Sequence, residues 1–131
     1  PAPPAYSRGM RKDEGMLDWL RELLEPHGRV SVRRMFGGHG LYLDGVFVAI
    51  VDEGRPYFKA DALSQGDFAQ AGGEPFVFES RGKRIETSYW SVPESALDSA
   101  EDMRPWARLA LEAARRKPAS KPRKKAAKRP A

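Results

Sequence analysis

The chain has 131 residues, 40% of them apolar and 31% charged, a net charge of +5, and no cysteine. That balance is too apolar for a wholly disordered chain and suits a single domain; without cysteine, neither a disulfide framework nor a thiolate metal centre can form. The longest apolar run, Val46-Phe47-Val48-Ala49-Ile50-Val51, falls far short of the roughly 20 residues that span a bilayer, and Pro1-Ala2-Pro3-Pro4-Ala5 has no apolar core for a secretion signal, so the expected location is the cytoplasm, with no membrane partner.

Residues 1–10, rich in Pro, Ala and Ser, read as a flexible leader to a domain over residues 11–116. A helix is predicted over residues 11–25, because Met16, Leu20, Leu23 and Leu24 recur at helical spacing while Asp18, Arg21 and Glu22 face away. Pro26 and Gly28 end it. Strands follow: residues 30–36 alternate, and Leu41-Tyr42-Leu43 runs into the hairpin signal Asp44-Gly45. The run over residues 46–51 is apolar on both faces and belongs in mid-sheet. Glu53-Gly54 turns the chain into a further strand over residues 56–60. Asp61 is placed to cap a helix over residues 62–71, with Leu63 and Phe68 on its apolar face. A second hairpin, residues 76–79 and 85–90, closes across Arg81-Gly82-Lys83. The last helix starts between Ser99 and Asp102 and aligns Trp106, Leu109, Ala110 and Ala113; Pro105 favours a late start. The order is helix, three or four strands, helix, two strands, helix. Hairpins without a βαβ rhythm predict an α+β fold, with an antiparallel sheet of about five to six strands and helices packed on one face.

Residues 117–131 hold only Ala, Lys, Arg, Pro and Ser, too little apolar surface to offset the entropy of ordering, and read as a disordered basic tail. From residue 115 onward nine cations stand without an acid: Arg115, Arg116, Lys117, Lys121, Arg123, Lys124, Lys125, Lys128 and Arg129. Subtracting them from the net +5 leaves residues 1–114 at −4, so the pI of 9.7 belongs to the tail. Such a polyelectrolyte releases counterions on nucleic acid, weakly and without reading sequence, or else serves only to keep the chain soluble.

Inside the domain, Arg33, Arg34, Gly37, Gly38, His39 and Gly40 form the one cluster that suggests a ligand. Read functionally, it is an anion or partner site with backbone N–H groups in a glycine turn. It matches neither a P-loop nor a G-x-G-x-x-G spacing, and no helix follows it. Read structurally, it is a strand-to-strand corner that needs positive φ or close backbone approach, and this reading is favoured. His27 and His39, the only histidines, make no recognisable metal site. Tyr89, Trp90 and Trp106 could offer a stacking platform for single-stranded nucleic acid. Trp106 nevertheless sits on an apolar helix stripe, and strand alternation sends Tyr89 and Trp90 to opposite faces, so at least one of that pair packs in the core.

The stretch Val32-Arg33-Arg34-Met35-Phe36-Gly37-Gly38-His39-Gly40-Leu41-Tyr42 resembles the signature of the TfoX (Sxy) N-terminal domain family. Tyr57-Phe58-Lys59-Ala60-Asp61, Glu74-Pro75-Phe76, Ser88-Tyr89-Trp90-Ser91-Val92-Pro93 and Pro105-Trp106-Ala107-Arg108 are similar to it in order and spacing, across about residues 12–116. The resemblance implies an α+β domain with no known catalysis, no cofactor and no defined site residues. The namesake proteins regulate natural competence in bacteria, acting on transcription with a cyclic-AMP-responsive activator. Those regulators carry a helical C-terminal domain where this chain has its basic tail. The expectation is therefore a non-enzymatic regulator or adaptor, DNA-associated through the tail, with a transcription regulator or a second copy of itself as protein partner. The alternative is a small-molecule or enzymatic domain built on the corner between Arg33 and His39.

Overall fold

The computed structural model describes residues 12–35 and 37–116. Helix α1 (Lys12–Leu24) buries Leu17, Leu20, Leu23 and Leu24 together with Trp19, whose indole Nε1 donates to the Leu97 carbonyl at 2.8 Å. A 3₁₀ turn (Glu25–His27) carries Pro26 and leads into β1 (Val30–Met35). Strands β2 (Gly38–Leu43), β3 (Val46–Asp52) and β4 (Arg55–Lys59) follow as successive hairpins. The short helix α2 (Gln65–Gln70) precedes the hairpin of β5 (Pro75–Ser80) and β6 (Lys83–Ser91). A 3₁₀ segment (Glu94–Leu97) then brings the chain to α3 (Ala100–Arg115).

The strands make one six-stranded antiparallel sheet in the order β1-β2-β3-β4-β6-β5. Three of its turns place two consecutive residues at positive φ: Asp44-Gly45 (52° and 80°), Glu53-Gly54 (53° and 76°) and Arg81-Gly82 (54° and 76°). That handedness matches the twist of the strands they join. The registers sort side chains onto two faces, since residues opposite each other in a ladder point the same way. Leu43, Leu41, Ala49, Phe58 and Trp90 share one face, and all belong to, or pack against, a single core with α1, α3 and Phe68 of α2. A register shift opposite Leu41 and Tyr42 lets the neighbours Val48 and Ala49 both enter that core. All three helices therefore lie on one face, as the hairpin order implies.

One helix differs from its sequence reading. The segment from Asp61 does not start a helix at residue 62. Asp61 Oδ1 instead accepts from the Leu63 and Ser64 amides, both at 3.1 Å, closing a local turn that delays α2 to Gln65 and leaves Leu63 76% exposed. Helix α3 begins inside the expected window between Ser99 and Asp102, at its early end although Pro105 favours a late start. Ser99 Oγ accepts from the Asp102 amide at 3.0 Å and donates to the Asp102 carboxylate at 3.0 Å, a cap strong enough to fix the start at Ala100 and carry Pro105 inside the helix. The buried line of α3 is Met103, Ala107, Ala110 and Ala113, with Trp106 and Leu109 flanking it. Alanines at its centre let the backbone lie close against β3 and β4. Among the described residues no helix is long and apolar enough to cross a membrane.

Candidate functional site

The glycine-rich corner is where the sequence places its candidate ligand site, and strand geometry divides it. Arg33 pairs with Gly40 and Arg34 with His39, so the two arginines point to opposite faces of the sheet. Arg33 lies over the Tyr42 ring, 5.5 Å from its centroid. His39, on the helix-covered face, bonds through Nδ1 to Asp13 Oδ2 at 2.8 Å, while Asp13 Oδ1 accepts from the Gly54 amide at 2.8 Å. One carboxylate thus ties the first turn of α1 to β2 and to the β3–β4 turn. The glycines serve close approach: a Cβ on Gly38 would lie 2.4 Å from the Val51 carbonyl oxygen, and one on Gly40 would meet Met35 and Phe47 within 3 Å. Gly37 takes φ +77° in the turn. This is the structural corner, with its two arginines apart and its histidine engaged. Among the described residues no group of three His, Asp or Glu side chains is arranged to hold a metal ion.

The cations expected to touch nucleic acid begin at the end of α3. Arg104, Arg108 and Arg115 line a cleft of about 390 Å³ together with Glu112, Ala107, Leu111 and His27, whose Nε2 bonds to the Ala100 carbonyl at 2.9 Å. Arg116 behaves differently from its neighbour. Its Nε and Nη2 donate to Asp61 Oδ2 and Oδ1 at 2.6 and 2.9 Å, a two-pronged pair that fastens the end of α3 to the β4–α2 turn. Lys117, Lys121, Arg123, Lys124, Lys125, Lys128 and Arg129 lie outside the described residues.

The guanidinium of Arg116, with help from the Ser64 hydroxyl and amide and against a smaller effect of burial, holds the Asp61 carboxyl down at about 2. A carboxyl depressed in the folded state binds its proton more readily once unfolded, so its stabilisation is complete above 3.8, its ordinary value, and is lost as pH falls towards about 2. The lead in stability of the wild type over Asp61→Asn is expected to shrink between about pH 4 and pH 2. Urea midpoints of both proteins along that series measure it, and two curves that stay parallel would refute the assignment.

Sequence reading did not anticipate the surface opposite the helices. Tyr42 and Phe47 stack with centroids 5.1 Å apart, and Phe47 meets Tyr89 at 5.4 Å. Tyr57 meets Phe76 at 4.9 Å, and Phe76 meets Phe78 at 6.0 Å. None of these rings belongs to the helix-side core. Cations lie over them: Lys59 Nζ is 5.2 Å from the Tyr89 centroid and Arg55 5.4 Å from that of Tyr57, in addition to Arg33 over Tyr42. Lys59 also donates to Ser88 Oγ at 2.8 Å. Burial lowers the Lys59 ammonium below its ordinary value, against the pull of Asp61. Burial, with the nearby Tyr42, pushes the Tyr89 hydroxyl up to about 12, so Tyr89 stays neutral at physiological pH. The only trace in sequence is the Tyr89-Trp90 pair, which alternation does split: Trp90 packs on the core and Tyr89 turns to this face.

Against known proteins, the model of the TfoX N-terminal domain matches residues 22–114. No curated protein matches the chain.

Proposed function

Since the chain belongs to the TfoX N-terminal domain family, we propose that it is a regulatory domain that works by binding and not by catalysis, an adaptor held near DNA by its basic tail. The observation that carries this reading is the run of arginines along α3. Arg104, Arg108 and Arg115 line one cleft, and the chain then continues directly into the seven cations from Lys117 to Arg129. Residues 1–114 together are mildly acidic, so the arginines along α3 are the part of the fold that prolongs the tail's charge. Contact of this kind recognises phosphates and leaves base sequence unread. Selection of a target then falls to a protein partner, for which the family resemblance points to a transcription regulator and a role in competence. A tail that raises the local concentration of its domain at DNA increases occupancy of such a partner without a new contact.

The test uses the full chain with Lys117, Lys121, Arg123, Lys124, Lys125, Lys128 and Arg129 replaced by glutamine, which leaves the Arg116–Asp61 pair intact. Truncation before Arg116 would remove that pair and confound the result. Wild-type affinity for a labelled duplex is expected to fall with salt at a slope of about −0.9 per phosphate neutralised, and the substituted chain to lose most of that slope. Equal slopes for the two proteins would defeat the tether.

A further inference from the structure

We propose that the helix-free face of the sheet binds single-stranded nucleic acid, with bases stacking on Tyr42, Phe47 and Tyr89 and phosphates meeting Arg33 and Lys59. This goes beyond the tail: it is a second, independent surface on the folded domain, and one that distinguishes single strands from duplex.

The occupant follows from the chemistry of the face. Ladder pairs put Arg33, Tyr42, Phe47, Ile50, Tyr57, Lys59 and Tyr89 on the same side. The only acid that the ladders of these five strands place there is Asp52, at the far end and directly opposite Arg55, which also meets Glu74 at 3.8 Å. The partner must therefore supply flat apolar groups together with negative charge. A second copy of the chain fits poorly, because two such faces brought together would bury cations against cations with no acid between Arg33 and Lys59. A duplex keeps its bases stacked inside and offers them to no ring. A single strand presents both features, bases with exposed π-faces and a phosphate at every step, and aromatic rows with flanking cations accept it whatever its sequence. The rings suit that use, since Tyr42, Phe47 and Tyr89 are neither sealed in the core nor fully exposed. Arg33 and Lys59 lie over the Tyr42 and Tyr89 rings, so a base that stacks there displaces each cation from the ring face towards the backbone phosphate beside it.

The experiment measures binding of the full-length protein to a labelled oligothymidylate of about 12 nucleotides, and to a duplex of the same length, at salt high enough to weaken the tail. Tyr42→Leu, which keeps the bulk of the side chain, is expected to weaken single-strand binding about fivefold or more and to leave duplex binding in place. Arg33→Glu tests the phosphate contact at an exposed position where folding is not at stake. Photo-crosslinking with iodouracil-substituted oligonucleotide then locates the contact independently of any variant. Adducts on peptides of β2, β3 or β6 support the proposal. Adducts confined to residues 115–131, an unchanged single-strand affinity in both variants, or an equal loss for single strand and duplex would overturn it. None of those outcomes defeats the tail tether, whose own test is the salt slope on duplex.

Discussion

Alanine at position 38 is expected to cost the protein about 3 kcal/mol, the upper range for forcing extra volume into a packed site. The added Cβ would sit 2.4 Å from the Val51 carbonyl oxygen and 3.4 Å from its carbon, with the Asp52 Cα close behind at 3.5 Å. All three are backbone atoms, so no side chain can swing aside, and relief requires β2 and β3 to move apart where their ladder begins. The control is Gly45→Ala, in a hairpin turn at φ +80° with open space around it. Its cost comes from left-handed backbone alone, about 1 kcal/mol. Urea unfolding of the two variants separates steric exclusion from backbone conformation, and equal losses would sink the close-approach account of this corner.

Removing the Asp13 carboxylate is expected to cost roughly as much, about 2–3 kcal/mol, for an unrelated reason. Asp13→Ala leaves the Gly54 amide and the His39 ring without their partner, each now bonded at 2.8 Å in a partly buried setting. The consequence should extend beyond the two bonds, because this carboxylate is where the start of α1 meets the sheet. A double-mutant cycle with His39→Ala apportions the loss. If the two single losses simply add, the carboxylate and the imidazole act separately and the clamp does not exist as a unit. Hydrogen exchange at the first turn of α1 should quicken in Asp13→Ala and stay unchanged in Gly45→Ala.

What could be read from the sequence was what local chemistry determines. Asp44-Gly45, Glu53-Gly54 and Arg81-Gly82 marked their hairpins because few other residue pairs accept positive φ twice in succession. The run over residues 46–51 announced a mid-sheet strand because both of its faces are apolar, and β3 lies third of six. The α3 packing line was half legible: Ala110 and Ala113 lie on it as expected, whereas Trp106 and Leu109 flank it and Met103 and Ala107 complete it, an alanine's hydrophobic signal being weak beside that of a large ring. In sequence Asp61 has the form of a helix cap because the same carboxylate geometry serves a cap and a local turn, and only Arg116, 55 positions away, shows how the rest of it is used. The aromatic face was invisible for a related reason. Its members alternate with core residues on separate strands, so no window of sequence contains more than two or three of them, and only the ladder brings Phe47 beside Tyr89. The clamp between Asp13 and His39 is likewise a product of folding, joining residues 26 positions apart.

The Arg116–Asp61 pair also sets how the domain bears mechanical load. Arg116 is the last residue before the cationic segment, so if that segment holds a polyanion as proposed, the tension reaches the Arg116–Asp61 pair first. Without that fastening, a pull on the carboxyl end would unzip α3 turn by turn from its terminus, the low-force route for a helix lying on a sheet. With it, force passes through Asp61 into the residues that follow β4, a strand hydrogen-bonded on both sides within the sheet. The anchor then yields only when two parallel N–H···O bonds break together, and because they are ionic, its strength falls as salt rises. The salt that would loosen a polyanion from the proposed tether would therefore also soften this anchor.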